Sequence, residues 1–305
     1  MTKKLFATVV AIGCIGVGAA LWLSQPEKIE ASALPAHVGD KANGEILFHV
    51  GGCISCHQPG DPTKFDPTLP SGGAPLATPI GALYPPNITP DVATGIGGWS
   101  DVDFVNALKH GVSPGGQNYV PAFPYTSYAH MTTDDILDIK AYLMSLKPVR
   151  SPRHDSGVPA AWLVRRGVGL WKRLALPVTA EATQDPKNRD PSQSTSWNRG
   201  AYLVNGPGHC AECHTPRDLL LVPEQAKYLQ GGLHPNGRTK VPSLHNLIGR
   251  GLFKDASDLA EGLKEGEEGG YENMSAGGMG DVQSNLSKLP DGDVKAIADY
   301  LASLK

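Results

Sequence analysis

Apolar positions along the chain fall into three regimes. The first is an uncharged apolar run from Leu5 to Leu23, behind Lys3 and Lys4. The second is helical periodicity. Ile136, Ile139, Leu143 and Leu146 recur at spacings of three and four, as do Val294, Ile297, Leu301 and Leu304 near the other end of the chain. Such spacing puts each set on one stripe of a helix. A shorter set, Val102, Val105 and Leu108, predicts another helix. Ser100 is a good N-cap for it, Asp103 lies three residues on, and Gly111 is placed to end it. The helix through Ile136 should start at Thr132 or Thr133 and stop before Pro148. The third regime is loop: the chain carries 36 Gly and 26 Pro, concentrated between the periodic segments.

The pattern repeats once. Gly44-Glu-Ile-Leu-Phe48 precedes Cys53, and Gly200-Ala-Tyr-Leu-Val204 precedes Cys210. Gly72-Gly73 matches Gly231-Gly232, and Pro86 matches Pro242. The segments 135–147 and 293–305 are parallel almost residue by residue, with an offset of 158 against 157 at the cysteines. One supersecondary plan is used twice. Gly44 and Gly200 are read as points where the first and last helices of a copy cross closely, with Tyr142 and Tyr300 packed nearby. A loose helix-start glycine is the plainer alternative.

The apolar run at the N-terminus is either a secretory signal or a retained anchor. A spanning helix needs roughly 20 apolar residues. A signal peptide has a shorter apolar region with a small-residue cleavage site close behind it. Here the run is long, and Ala31 and Ala33 lie well downstream, so length favours an anchor. Lys3 and Lys4 hold its start in the cytoplasm, and the chain after about residue 30 is exported on either reading.

Charge adds little: the formal net charge is −3, with no basic run, which argues against a nucleic-acid partner. Cysteine is more informative. Of five cysteines, Cys14 sits alone in the apolar run, and the other four form two C-x-x-C pairs. Each pair is followed directly by His, which a disulfide framework would not require. Cys53-Ile-Ser-Cys56-His57 and Cys210-Ala-Glu-Cys213-His214 match the pattern for covalent attachment of haem c. One turn of chain brings two thiols to the haem vinyl groups, and the next residue points its imidazole at iron. A zinc site would need further ligands, and no cysteines remain for one. Low aromatic content, 7 %, fits an interior completed by a cofactor. Two covalently bound haem c groups are therefore expected, with His57 and His214 as metal ligands.

A sixth ligand is expected from Met, whose thioether is a common partner of His on haem iron. Met131 precedes the last helix of copy one. In copy two Met274 and Met279 are available, and Met279 is nearer the last helix. Met131 and Met279 are the expected choices, with His130 as the rival in copy one. His209 is read as lining a haem edge, and Arg217 as either a propionate partner or an ordinary surface Arg. Between the copies, Trp162-Leu-Val-Arg-Arg166 and Trp171-Lys-Arg-Leu-Ala-Leu176 form a basic amphipathic stretch. It is read as a bridging helix whose Trp residues pack on both copies, the alternative being contact with lipid headgroups or a partner. Gln184 to Ser196 is read as a linker.

Copy one also contains Gly73-Ala-Pro-Leu-Ala-Thr-Pro-Ile-Gly81, Tyr84-Pro-Pro-Asn-Ile-Thr-Pro-Asp91, Gly95-Ile-Gly-Gly-Trp-Ser100 and Pro121-Ala-Phe-Pro-Tyr-Thr-Ser-Tyr128. These resemble the multi-haem cytochrome c subunits of bacterial membrane-bound dehydrogenases for alcohols, gluconate, fructose and aldehydes, over about residues 40 to 305. Many relatives have three haems, and many have Met where this chain has Phe123. The resemblance implies an electron carrier, not an enzyme. Its donor would be a dehydrogenase subunit. Its acceptor would be ubiquinone, another cytochrome or a terminal oxidase. A two-haem peroxidase with one openable iron is the alternative. The expected fold is all-α: a signal-anchor segment (1–33), a cytochrome c domain (34–150), a bridging segment (151–194) and a second cytochrome c domain (195–305). The expected location is the bacterial inner membrane, with the haem domains in the periplasm.

Overall fold

The structure is a computed structural model that describes residues 3–78, 81–154, 158, 160–176, 189–234, 239–266, 270 and 278–305. It is mostly helical. Helix α1 (Lys3–Leu23) projects from the rest, with its apolar side chains exposed, and is long and apolar enough to cross a membrane. Copy one follows with α2 (Lys41–Val50), α3 (Cys53–His57), α4 (Asp101–His110), α5 (Tyr125–Tyr128) and α6 (Thr133–Ser145). Helix α7 (Ala161–Ala175) leads to copy two, built from α8 (Thr195–Asn205), α9 (Ala211–His214), α10 (Ala256–Glu265), α11 (Gly278–Leu286) and α12 (Asp291–Ser303). The all-α expectation needs one correction. After each C-x-x-C-H motif lies a two-stranded antiparallel ribbon, β1 (Leu76–Thr78) with β2 (Gly81–Leu83), and β3 (Gly232–Leu233) with β4 (Lys240–Val241). Gly72-Gly73 precedes β1 and Gly231-Gly232 leads into β3, and all four glycines take positive φ, which glycine adopts without strain.

The helix ends follow local chemistry. Ser100 accepts from the Asp103 amide while Asp103 accepts from the Ser100 amide, a complete capping box on α4. Gly111 closes that helix at φ 56°. Thr132 caps α6 by accepting from the Asp135 amide, and the helix ends at Ser145, short of Pro148. Ser194 caps α8, so Thr195 and Ser196 are helical instead of linker; residues 184–188 of that expected linker lie outside the described residues.

First and last helices of each copy cross at a glycine. A Cβ on Gly44 would lie 2.0 Å from Asp138 O, and one on Gly200 would lie 1.8 Å from Ala296 O. Tyr142 and Tyr300 pack beside these crossings, as expected. Leu47 and Phe48 on α2, Leu203 and Val204 on α8, and the apolar stripes of α6 and α12 form one core that is continuous across both copies.

Copy one carries a polar clamp at its crossing. The buried Asp138 carboxylate accepts from Asp40 N–H (2.6 Å) and Asn43 Nδ2 (2.7 Å) and pairs with His37 Nε2 (2.6 Å). Copy two has Ala296 where Asp138 stands and instead pairs Arg199 with Asp293, the counterpart of Asp135, at 2.8 Å. The hydrogen bond to Asp138 raises the His37 pKa above 6.5 against an opposing desolvation, with Asp134 and Asp135 also raising it. Burial pushes Asp138 up, but His37, Asn43 and the Asp40 amide outweigh it and hold the carboxyl below its usual range. The His37 contribution is thus present below pH 6.5 and is lost as pH rises through the raised value. Thermal stability should fall as pH rises above about 6.5 and through the raised His37 value, and His37→Gln should flatten that slope in melts followed by circular dichroism.

Candidate functional site

Each C-x-x-C-H motif is a single turn launched from a left-handed residue. Gly52 takes φ 55° before Cys53, and His209, 157 positions later, takes φ 40° before Cys210. Glycine adopts this conformation without strain, whereas His209 holds it under tertiary constraint. Its Nε2 lies 3.2 Å from Gly51 O, so the histidine links the start of one motif to the start of the other. This is a packing role that the sequence did not reveal.

The two motif histidines are braced identically. His57 Nδ1 lies 2.7 Å from Pro86 O, and His214 Nδ1 lies 2.8 Å from Pro242 O. A carbonyl can only accept, so Nδ1 carries the proton and Nε2 presents its lone pair. The brace is itself held. Gly72 N–H donates to His57 O and Gly231 N–H donates to His214 O, both at 2.7 Å. A Cβ on Gly72 would lie 2.4 Å from the Pro86 carbonyl carbon, and one on Gly231 would lie 2.6 Å from that of Pro242. The Gly and Pro matches in the sequence repeat are therefore the parts that aim the imidazole. Burial lowers the pKa of both histidines, against the hydrogen bond to the proline carbonyl, and so favours the neutral imidazole that binds a metal.

None of the five cysteines is paired. Burial pushes the Cys53 and Cys210 thiols up to about 12, which disfavours the thiolate a bare metal ion would need. Among the described residues there is no cluster of three or more His, Cys, Asp or Glu able to hold a metal ion. This donor set, two neutral thiols one turn apart with a neutral imidazole beside them, fits covalent haem c. The motif Cys and His residues would hold it, the thiols through thioether links and the imidazole as a ligand to iron.

The Met candidates stand in different places. Met131 lies between α5 and α6 and is fully buried, with Gly206 of copy two close to its side chain. Met279 is half-buried in the first turn of α11. Met274 lies outside the described residues. The repeat offset of 158 carries Met131 to Leu289, a core residue, while the offset of 157 carries Met279 to Ala122, beside Phe123. Phe123 itself stacks edge-on against Tyr119 and Tyr128. Arg217 pairs with Glu212 and donates to Leu221 O at 2.7 Å, so its guanidinium braces copy two. Both ring nitrogens of His245 face carbonyl oxygens, of Lys305 and Tyr228, which gives it a structural role.

The copies meet reciprocally on these motifs. Glu212, inside the second motif, accepts from Thr126 Oγ1 (2.6 Å) and Ser127 Oγ (2.9 Å) of copy one. Ser55, its counterpart in the first motif, meets Asn285 Nδ2 of copy two at 2.9 Å. The Tyr202 hydroxyl of copy two bonds to Asp135 of copy one, and within copy one Tyr128 Oη donates to Gly51 O (3.2 Å). Each copy thus lays a helix from its own C-terminal half over the other's motif. A variable motif residue that is polar in both copies was the only sequence signal for this contact.

Comparison with known proteins gives a consistent picture. A cytochrome c family model matches residues 41–147. The chain is 40 % identical over 297 residues to a dihaem c-type cytochrome of Cereibacter sphaeroides, covering 96 % of this chain and 95 % of that one. It is 34 % identical to the fructose dehydrogenase cytochrome subunit of Gluconobacter japonicus over 90 % of this chain, and 36 % identical to the gluconate 2-dehydrogenase cytochrome c subunit of Pantoea cypripedii over 86 %. It spans nearly all of the first relative but only 54 % and 58 % of the two dehydrogenase subunits.

Proposed function

This chain belongs to the cytochrome c family, with two covalently bound haem c groups, and we propose that it relays electrons from a dehydrogenase to the respiratory chain. One observation carries the reading: the same imidazole brace, His57 to Pro86 O and His214 to Pro242 O, is built twice at distances of 2.7 and 2.8 Å. Bound haem supplies a one-electron ferric/ferrous carrier, and all other chemistry here is positioning. His57 and His214 each hold iron through Nε2, with Cys53, Cys56, Cys210 and Cys213 as the thioether links. Met131 and Met279 complete the ligand sets, from different points of the repeat. The two haem-binding units run from 34 to 150 and from 195 to 305, joined by 151–194. The contacts of Gly51 with His209 and of Ser55 with Asn285 hold the motifs side by side, which suits transfer between them.

Helix α1, in residues 1–33, is retained as an inner-membrane anchor, with both haem units on the periplasmic side. The donor is a dehydrogenase subunit, as the names of the relatives suggest, and the acceptor is ubiquinone, another cytochrome or a terminal oxidase. The relatives compared are electron-carrier cytochromes, and the peroxidase alternative finds no support in them. Spectroscopy tests the ligand sets. Met-ligated ferric haem gives a weak red absorption band, and Met131→Ala and Met279→Ala should each remove it from one haem only. A band of full strength in either variant would sink that assignment.

A further inference from the structure

Helix α7 is built inside out for a helix in water. Arg165, Gly169 and Lys172 face the protein. Arg165 Nη1 donates to Asn118 O (3.3 Å), and a Cβ on Gly169 would lie 2.2 Å from Ser24 O. Lys172 Nζ donates to His110 O (2.6 Å), Gly111 O (3.1 Å) and Asn118 Oδ1 (3.0 Å), at the C-terminus of α4, where a cation is favoured. The opposite face is apolar and turned outward: Leu163 and Leu174 are exposed, Leu174 at 74 %. The expected packing of both Trp residues holds only for Trp171, whose Nε1 donates to Leu220 O of copy two (2.7 Å); Trp162 is 67 % exposed. That bond ties α7 to a tip where Leu219, Leu220 and Leu221 are all exposed, with Leu221 held at φ 62°. A water-facing helix shows the reverse arrangement, and clustered exposed leucines on a turn mark a contact surface.

What lies outside this face is indicated by its neighbour. The far end of α1 rests on α7: Arg166 Nη1 donates to Leu21 O (3.4 Å), and Arg173 sits over the Trp22 ring and pairs with Glu27 (2.8 Å). Between Ser24 and Pro26 just past α1, residues 116–118 and α7 lies a groove of about 530 Å³ that contains Arg153, Arg165 and Arg166 beside Trp162. No described residue lining it is acidic. Arginines and a tryptophan at the end of an apolar helix suit the phosphate level of a bilayer.

On the reading that α1 spans the membrane, we propose that α7 and the 219–221 tip form a second membrane contact. The apolar face lies in the headgroup–acyl boundary, and the arginine groove faces lipid phosphates. This contact fixes how the two haem units sit on the membrane, which a single spanning helix leaves free to swivel.

The test uses the full chain in lipid nanodiscs. Leu163→Cys, Leu174→Cys and Lys254→Cys are placed in a Cys14→Ala background and treated with a charged, membrane-impermeant maleimide. Lys254, whose side chain is 88 % exposed, is the aqueous reference. Modification at 163 and 174 should be about tenfold slower than at 254, because a thiol in the boundary is shielded and un-ionised. A benzophenone attached at 174 in detergent, before transfer to nanodiscs, should cross-link to a phospholipid, seen as one lipid mass. Equal rates at all three sites, or a cross-link to a second chain instead of lipid, would overturn the proposal. Native Cys14 in the unmodified chain reports α1 separately. If it is protected while 163 and 174 react freely, the anchor stands and the platform alone fails. If it reacts freely, the anchor fails and takes the platform with it.

Discussion

Protein in which Cys53 and Cys56 are both replaced by Ala is expected to carry one covalent haem instead of two, with copy two still loaded. The intact mass should fall by one haem beyond the change in side chains. The haem lost should be the one whose imidazole is His57, because its brace on Pro86 O survives but the covalent hold does not. The cost extends to stability. A chain with 5 Trp, 9 Tyr and 6 Phe in 305 residues has little aromatic volume to close a core over an empty pocket. Local unfolding of copy one should therefore appear first, as faster amide exchange in α2 and α6 than in α8 and α12. The mirrored pair, Cys210→Ala with Cys213→Ala, should reverse that order. Two covalent haems persisting in either double variant would remove the attachment sites assigned here.

The second large effect is expected at Gly200. An added methyl would lie 1.8 Å from Ala296 O and 2.9 Å from Tyr300 Cβ, against rigid backbone on one side and a buried ring on the other. Neither can retreat cheaply, so α8 and α12 must separate and open the core around Leu203 and Ile297. Overpacking of this kind costs about 3 kcal/mol. Gly292→Ala is the contrast. That glycine lies in α12 with nothing within 4 Å of an added Cβ, so the change should be neutral or stabilise by about 0.5–1 kcal/mol through helix propensity. Denaturant titrations of the two variants should therefore shift in opposite directions. A Gly200→Ala protein as stable as the parent would mean that the crossing is looser than the structure shows.

The two sets of residues behind these effects were both visible in the repeat. The helix caps at Ser100 and Thr132, the stop at Gly111 and the crossings at Gly44 and Gly200 are where pattern and glycine placement put them. The matches Gly72 with Gly231 and Pro86 with Pro242 were visible too, although their purpose was not. Only in three dimensions does each proline carbonyl reach back 29 or 28 residues to a histidine. The glycines flanking Met279 disfavour helix, yet α11 begins around it, a start that only the tertiary structure decided.

The linear order of residues determined the duplicated helical plan, the two C-x-x-C-H turns and the apolar N-terminal helix, since each depends on spacings within a few turns of chain. Tertiary structure alone decided how the copies meet, through Glu212 on Thr126 and Ser127 and through Asn285 on Ser55. It also decided which way α7 faces. An amphipathic helix specifies two faces but not which one is turned inward. That was set by Lys172 finding the carbonyls at the end of α4 and by Gly169 admitting the exit of α1. These partners lie between about 60 and 145 residues away in sequence, beyond the reach of any local pattern.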